Sequence, residues 1–463
     1  MLISGISSIC AVILYVLTLG YQAHAIELDI NNEQSIKDAA KTATQGMMVW
    51  YHGSEPGQIP GAFPSKWWEG SALFYALLNY WHFTGDTTYN DQLSLGLQWQ
   101  SGTNGDYLPS NYSHFLGNDD QVFWGLAAMT AAELKFPDVS NGFSWLSLAQ
   151  GVFNSQKGRW ETSMCGGGLT WQMFPYQGTG YTMKNAISNG GFFQLAARLA
   201  RYTENQEYKD WANKIWDWSV NTPLVNNKTW VVQDSTEGTE NCKDGANIPW
   251  TYNYGTYLMG AAYMYNSTED SKWLDATNGL LNMTLQTFFQ KESGYVMEDI
   301  TCEPREICNN NEVLFKGLLS TWLSYVALVV PKTYDLIMPK LQTSAIAAAK
   351  SCTGNNNNTC GVQWYKSQWD GWTGMEEQIS VSQVFSANLL PFVAEKAAVA
   401  PVTSNTGGNS SSNPNAGLDS NKEGDTPKPI TTGDKAGAGI LTLVLVGFWA
   451  ALMAFAIMGS SGV

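Results

Sequence analysis

Positive charge is what this chain has least of: 25 Lys and Arg stand against 40 Asp and Glu in 463 residues, a formal charge of −15. Nucleic-acid phosphates require clustered cations, and so does electrostatic docking on anionic lipid, so both partner classes are excluded. Histidine is nearly absent, with His24, His52, His82 and His114 the whole set, and neither C-x-x-C nor H-E-x-x-H spacing occurs. These gaps leave no metal-ligand set, and neither a metal nor another cofactor is expected. A G-x-S-x-G elbow is missing too, as is a G-x-G-x-x-G after a strand pattern, so nothing marks serine-hydrolase or dinucleotide chemistry. Nor does any low-complexity linker interrupt the chain between Ile26 and about Ala400.

What is present is apolar and aromatic. Hydrophobic residues make up 44% of the chain and aromatics 13%, including 20 Trp, enough for a large core with platforms to spare. A neutral polyhydroxyl ligand fits this composition, because sugars offer apolar C–H faces to aromatic rings and hydroxyls to amides and carboxylates. Besides Cys10 there are six cysteines, an even set suited to disulfides in an oxidising compartment. The short spacings Cys302/Cys308 and Cys352/Cys360 suggest local staples and leave Cys165 to Cys242 as a long-range bridge. Sequons at Asn111, Asn227, Asn266, Asn282, Asn357 and Asn409 are expected on the surface as N-glycosylation sites.

Both ends read as targeting segments. The apolar run Ile9–Leu19 followed by Ala23-His24-Ala25 resembles a signal peptide over residues 1–25, although no Lys or Arg precedes it. Residues 401–435, rich in Ser, Thr, Asn, Gly and Pro, read as a disordered, solvated stalk containing the anchor-attachment region. Residues 436–463 carry the uncharged stretch Ile440–Met458 with no basic flank after it, which fits the removable tail of a GPI-anchor signal better than a membrane span. The expectation is a secreted monomer with no nucleic-acid partner, held on the outer leaflet of the plasma membrane or in the cell wall through a lipid anchor alone.

Between these ends, residues 26–400 show helical periodicity almost throughout, with about twelve helices. A turn recurs between them: Thr84 with Tyr89 and Asp91, Thr203 with Tyr208 and Asp210, Thr268 with Trp273 and Asp275. Repetition of one turn implies stacked helical hairpins, and about six of them in one globular body favour an all-α (α/α)6 toroid. The Gly-rich segments 158–182 and 231–251 would then be loops at one rim.

The densest chemical signal is Asn118-Asp119-Asp120-Gln121 at a helix start. One account is structural, since acidic residues suit a helix N-terminus and Asn118 with Gln121 has the spacing of a capping box. The other is catalytic, because glycosidic bonds are cut by paired carboxyl groups.

Further motifs bear on that choice: Trp67-Trp68-Glu69-Gly70-Ser71-Ala72, Tyr80 to Asp86, Asn118 to Gln121 with Trp124 and Glu133, Asn185 to Gly190, Tyr252-Asn253-Tyr254-Gly255, and Trp364 to Gln378. Together they resemble glycoside hydrolase family 76, specifically the fungal glycolipid-anchored mannan endo-1,6-α-mannosidases of the filamentous-growth and cell-wall branch. The resemblance implies an (α/α)6 barrel and a retaining reaction on α-1,6-linked mannose. It also implies Asp119 as nucleophile, Asp120 as general acid/base, and mannan and wall glucan as partners. Trp67, Trp68, Trp171, Asn185, Asn189, Tyr252 and Tyr254 are the expected substrate-binding residues, although Asn185 and Asn189 lie one turn apart and could cap or cross-link helices instead. A non-catalytic mannan-binding wall scaffold is the alternative function.

Overall fold

The recurring turn is a device for reversing a helix. In a computed structural model, Thr84, Thr203 and Thr268 each donate their hydroxyl to the carbonyl four residues back, at 2.5, 2.7 and 2.6 Å. The next residue, Gly85, Glu204 or Glu269, takes the left-handed conformation that ends a helix. Two positions after the Thr, Asp86, Asn205 or Asp270 accepts an amide at 2.9 Å and opens the following segment. The aromatic at +5 then packs inward, with Tyr208 and Trp273 fully buried.

The structure describes residues 25–418 apart from 64–65, 113, 356 and 394–399, together with Lys435, residues 439–449 and Met453. The expected signal segment, except Ala25, and most of the expected tail lie outside the described residues. Twelve helices longer than two turns are described in the body: α1 (Glu33–Met48), α2 (Trp67–Thr84), α3 (Asn90–Trp99), α4 (Asn118–Glu133), α5 (Trp145–Gly158), α6 (Ala186–Thr203), α7 (Gln206–Asn221), α8 (Thr251–Thr268), α9 (Ser271–Phe288), α10 (Phe315–Val329), α11 (Tyr334–Ser351) and α12 (Met375–Ala387).

Even-numbered helices pack in the closed order α2, α4, α6, α8, α10, α12 and back to α2. Odd-numbered helices lie outside them, which makes the body an (α/α)6 toroid. Burial follows that division. An outer helix such as α7 buries one stripe, Tyr208, Ala212, Ile215, Trp216, Trp218 and Ser219, whereas nearly every side chain of α4 and α6 is buried. The segment 310–329 is apolar and long enough to cross a membrane, but it is 89% buried inside the protein and is core. Close helix approach uses small residues: a Cβ on Gly191 would sit 2.6 Å from Val122, and one on Gly255 would sit 2.6 Å from Trp322. Away from the rim loops, Arg198 of α6 bridges to α4, meeting Glu133 Oε2 at 2.6 Å and Thr130 Oγ1 at 2.6 Å. Both charged groups are fully buried, so losing either partner would strand the other.

Loops before α6 and before α8 build the rim. Strands β1 (Met183–Asn185) and β2 (Ser235–Glu237) pair antiparallel, with Lys184 opposite Thr236. The Cys165–Cys242 disulfide ties the same two loops. Lys184 is buried, and its ammonium donates to Glu161 Oε2 at 3.0 Å, to Met164 O at 2.7 Å and to Gly167 O, so it shapes the glycine-rich turn from within. The other disulfides, Cys302–Cys308 and Cys352–Cys360, close short loops. All six sequon asparagines are exposed. Asn266 already uses its amide to cross-link, accepting from Arg201 at 2.7 Å and donating to Val329 O at 2.8 Å.

The expected body–stalk boundary at residue 400 is corrected. Residues 400–418 are a strap laid on the toroid, and the body extends to Leu418. Val402 is buried and its N–H donates to Glu133 O at 2.9 Å, Asn413 N–H donates to Gln150 Oε1 at 2.7 Å, and Asn154 Nδ2 donates to Pro414 O and Ala416 O at 2.8 Å. Low complexity misleads here because Ser and Asn can cover a helix flank largely through hydrogen bonds, with isolated apolar contacts such as Val402 and Ala416 and no apolar periodicity. In the separate C-terminal unit, Gly439–Trp449 is an apolar helix with exposed large side chains.

Truncation after Ala400 is therefore expected to lower the melting temperature by several degrees, since burying a Val alone stabilises by about 1.5–3 kcal/mol. Truncation after Leu418 should leave it unchanged, as calorimetry of both shortened proteins will show. Replacing Cys165 and Cys242 by Ala should cost about 4 kcal/mol, given the 77-residue separation they close, and non-reducing peptide mapping should recover all three pairs.

Candidate active site

Helix α4 begins inside the rim, and its first turn is held from several sides. Asn118 N–H donates to Trp171 O at 2.8 Å, and Asn118 Nδ2 donates to Thr170 O at 2.8 Å. From below, Arg159 Nε donates to Asn118 Oδ1 at 2.8 Å, and Gln156 Nε2 donates to Asn118 O at 2.7 Å. The N-cap is Gly117, whose N–H donates to Asp120 Oδ2 at 2.7 Å. The capping box expected of Asn118 and Gln121 is therefore not formed; Gln121 points inward, donating to Asp106 O at 2.7 Å and to Ser155 Oγ at 3.1 Å.

This clamp leaves Asp119 and Asp120 part-exposed while the rest of α4 is buried, Phe123 reaching the cleft with 7% of its surface. Both face a cleft of about 880 Å³. Asp120 N–H donates to Asp119 Oδ1 at 3.0 Å, and the Trp171 side chain also hydrogen-bonds Asp119. Burial, followed by the charge of Asp120, raises the Asp119 carboxyl well above the ordinary aspartate range. Burial also raises Asp120, to about 6, against the lowering effect of its Gly117 hydrogen bond. The two titrate as a pair that retains a proton toward neutral pH.

Five of the seven expected substrate-binding residues line the cleft: Trp67, Trp68, Trp171, Asn185 and Tyr252. Trp67 is mostly covered, stacked on Trp124 at 5.0 Å with its indole N–H given to Gln100 at 2.6 Å. Trp68 is half-buried and donates to Asn311 Oδ1 at 2.9 Å. Tyr252 lies flat on Phe315, ring centroids 3.6 Å apart. Asn185 has two duties, capping α6 through Ser188 N–H at 3.3 Å while bordering the cleft.

Asn189 and Tyr254 are corrections, for neither lines the cleft. Asn189 is fully buried and braces the rim loop, accepting from Leu169 N–H at 2.8 Å and donating to Leu169 O at 2.9 Å. Tyr254 is 2% exposed and packs edge-on against Phe288 of outer helix α9. Two positions after Tyr252 on a helix, a side chain points about 200° away, so the pair could not share the cleft.

Sequence reading missed Asp234, Asn309, Asn311, Glu312, Phe123, Trp250 and Phe315. Most of these sit on irregular segments or at helix starts, where no spacing rule points at the cleft. Asp234 accepts from Asn253 Nδ2 at 3.0 Å, and burial raises its carboxyl. Lys66, the cation among the described lining residues, is engaged by Glu69 at 3.1 Å. The cysteine–carboxylate cluster of Cys302, Cys308 and Glu312 offers no thiolate, because its cysteines are joined, and Glu312 accepts from Asn309 N–H at 2.7 Å. Asp370 organises its own loop, accepting from Val362 and Gln363 N–H at 2.8 and 2.7 Å.

An acidic, aromatic-walled cleft in an (α/α)6 toroid has clear counterparts. The description of glycosyl hydrolase family 76 matches residues 35–404. The chain is 42% identical over 427 residues to the mannan endo-1,6-alpha-mannosidase DCW1 of Saccharomyces cerevisiae, covering 91% of this chain and 93% of that protein. It is 37% identical over 432 residues to the mannan endo-1,6-alpha-mannosidase DFG5 of Candida albicans, covering 91% and 93% respectively. Among solved structures it is similar to Dfg5 from Chaetomium thermophilum in complex with glucosamine, with a TM-score of 0.80, 39% identity, and coverage of 84% of this chain and 97% of that one. The fold also matches an inactive variant of an alpha-1,6-mannanase of Salegentibacter in complex with alpha-1,6-mannotriose, with a TM-score of 0.61 at 19% identity and coverage of 77% and 99%. The chain belongs to glycosyl hydrolase family 76 and is a glycoside hydrolase.

Proposed function

We propose that the protein is a cell-surface, retaining endo-α-1,6-mannosidase that also transfers mannan, with Asp119 as nucleophile and Asp120 as general acid/base. One observation carries this reading: α4 buries every residue except two adjacent carboxyls, and both have raised proton affinity at the cleft. The substrate class rests on the names of the fungal relatives. A scaffold that only bound mannan could use carboxylates as hydroxyl acceptors, but it would not need a pair that shares a proton near neutral pH.

Bond cleavage needs one protonated and one ionised carboxyl. Asp120 gives its proton to the leaving glycosidic oxygen while Asp119 attacks the anomeric carbon, forming a mannosyl ester; water or a sugar hydroxyl, deprotonated by Asp120, then displaces Asp119. In the empty cleft, burial and the second charge weigh most on Asp119. With a sugar bound, the glycosidic oxygen lies at Asp120 to receive the shared proton, and the ionised form is then left to Asp119. Trp68, Trp171 and Tyr252 supply rings for the pyranose faces.

The fate of the ester depends on which acceptor the cleft holds. A GPI-type anchor would keep the enzyme beside wall polymers and raise their effective concentration, favouring transfer of mannose-bearing chains, including anchor remnants, to glucan during wall biogenesis. The disulfides and the apolar C-terminal helix support that location.

Asp119→Asn and Asp120→Asn are each expected to lower turnover of α-1,6-mannan by at least about 10²-fold. The pH–rate profile should be bell-shaped, with its acid limb near the Asp120 value of about 6, because below it both carboxyls are protonated. Folded-state values raised above the unfolded value of about 4 mean that stability falls as pH rises through that window. Each Asn variant should therefore melt no lower than the wild type at pH 7. Activity retained in both variants would remove the pair from the mechanism.

Transfer is tested separately with an α-1,6-mannan donor and labelled glucan or mannan oligosaccharide acceptors. Acceptor-joined products are expected. Shortened mannan alone, at every acceptor concentration, would leave simple endo-hydrolysis.

A further inference from the structure

A polymer cannot fit inside this cleft. About 880 Å³ is near the upper end of small-ligand sites and holds a few pyranose rings. An endo-acting enzyme must let the rest of the chain leave over a lip, and the two lips differ chemically. One is polar, formed by Asn309, Asn311 and Glu312. The other is the loop just before α4 together with the turn after Trp171.

That second lip carries Phe115, which at 77% is the most exposed large hydrophobic among the described residues of the body, and which also lines the cleft. Next to it stands Tyr176, 53% exposed, stacked parallel on Phe174 with ring centroids 5.4 Å apart and 6° between planes. The two segments are joined at this place. Tyr176 donates its hydroxyl to His114 O at 2.7 Å, one residue from Phe115, and Gly117 bridges to Gln172. Tyr176 is thereby fixed with its ring face in solvent. A hydrogen-bonded chain of amides runs from there back to the cleft: Gln177 holds Phe174 N–H at 2.8 Å and donates to Gln172 at 2.5 Å, and Gln172 lines the cleft.

Resting on the mannanase reading above, we propose that Phe115 and Tyr176, with Gln172 and Gln177, form an outer glycan-binding shelf that takes the neutral hexopyranose chain emerging from the cleft on the Asp119 side. Exposed rings at fixed angles suit the flat C–H faces of pyranoses, and the amides beside them suit hydroxyls. No Lys or Arg lies among these residues, which argues against a phosphorylated or anionic ligand. Continuity with the cleft through Phe115 and Gln172 makes the occupant the same chain that is cut, not an unrelated protein. The shelf gives the enzyme preference for long chains over short ones without touching the reacting bond.

Binding of a short and a long α-1,6-mannan oligomer is measured by calorimetry in the Asp119→Asn protein, so that turnover does not enter. Ser113→Ala is included throughout to keep the lip free of a glycan at Asn111. Long oligomers are expected to bind about tenfold tighter than short ones, about 1.4 kcal/mol. In Tyr176→Ala, which lies outside the cleft lining, that ratio should fall toward one with the short-oligomer affinity unchanged, and Tyr176→Phe, which keeps the ring, should retain most of it. Equal affinity for both lengths before the lip is altered, or equal weakening of both after it, overturns the shelf while leaving the mannanase reading intact. Failure of either length to bind overturns that reading and the shelf with it.

Discussion

The chemistry of this protein depends on how the first turn of α4 is held. A helix start normally leaves its amides to water or to a capping side chain. Here Asn118 is fastened by Thr170 O and Trp171 O from the rim and by Arg159 and Gln156 from beneath. With both faces of Asn118 used, the next two side chains have no choice but the cleft. Arg159 stays charged despite burial, its pKa drawn down only to about 10, so its hold on Asn118 persists at neutral and acid pH.

Adjacency of two aspartates then becomes useful rather than merely crowded. Consecutive helical side chains diverge by about 100°. At this clamped start Asp120 folds back to Gly117 N–H while Asp119 accepts from Asp120 N–H, which turns both carboxyls toward the same space. The scarcity of cations matters in the same place. Lys66, at the cleft, is engaged by Glu69, so the repulsion and burial cost of Asp119 and Asp120 are met by shared protonation and not by a counter-ion.

Closure of the ring explains how so many polar side chains are tolerated inside it. Arg198 and Glu133 bridge α4 and α6 away from the cleft, and the Asp299 carboxylate holds the start of α8 through Thr251 N–H and Oγ1, each at 2.9 Å. These contacts place Tyr252, the residue after Thr251, against Phe315. The strap over residues 400–418 extends the same logic to the outer surface, substituting hydrogen bonds to α4, α5 and α6 for an apolar face.

By itself the sequence determined the helical class, the repeated Thr turn, the sugar-binding composition and the aspartate pair, because each is written in residues close together along the chain. Trp67, Trp68, Asn185 and Tyr252 were legible through family motifs, though those motifs also contain Asn189 and Tyr254, whose work is packing; Trp171 stands outside them, in the Gly-rich segment 158–182 expected at the rim. A motif records that a residue is constrained and not which way it points. Tertiary structure alone decided that Asp234, Glu312, Phe315 and Phe115 share one cleft, since they come from loops and helix starts far apart in the chain. It also decided that a Ser- and Asn-rich segment lies flat on the body, because hydrogen bonds to a neighbouring helix depend on where that helix is, and no local pattern carries that information.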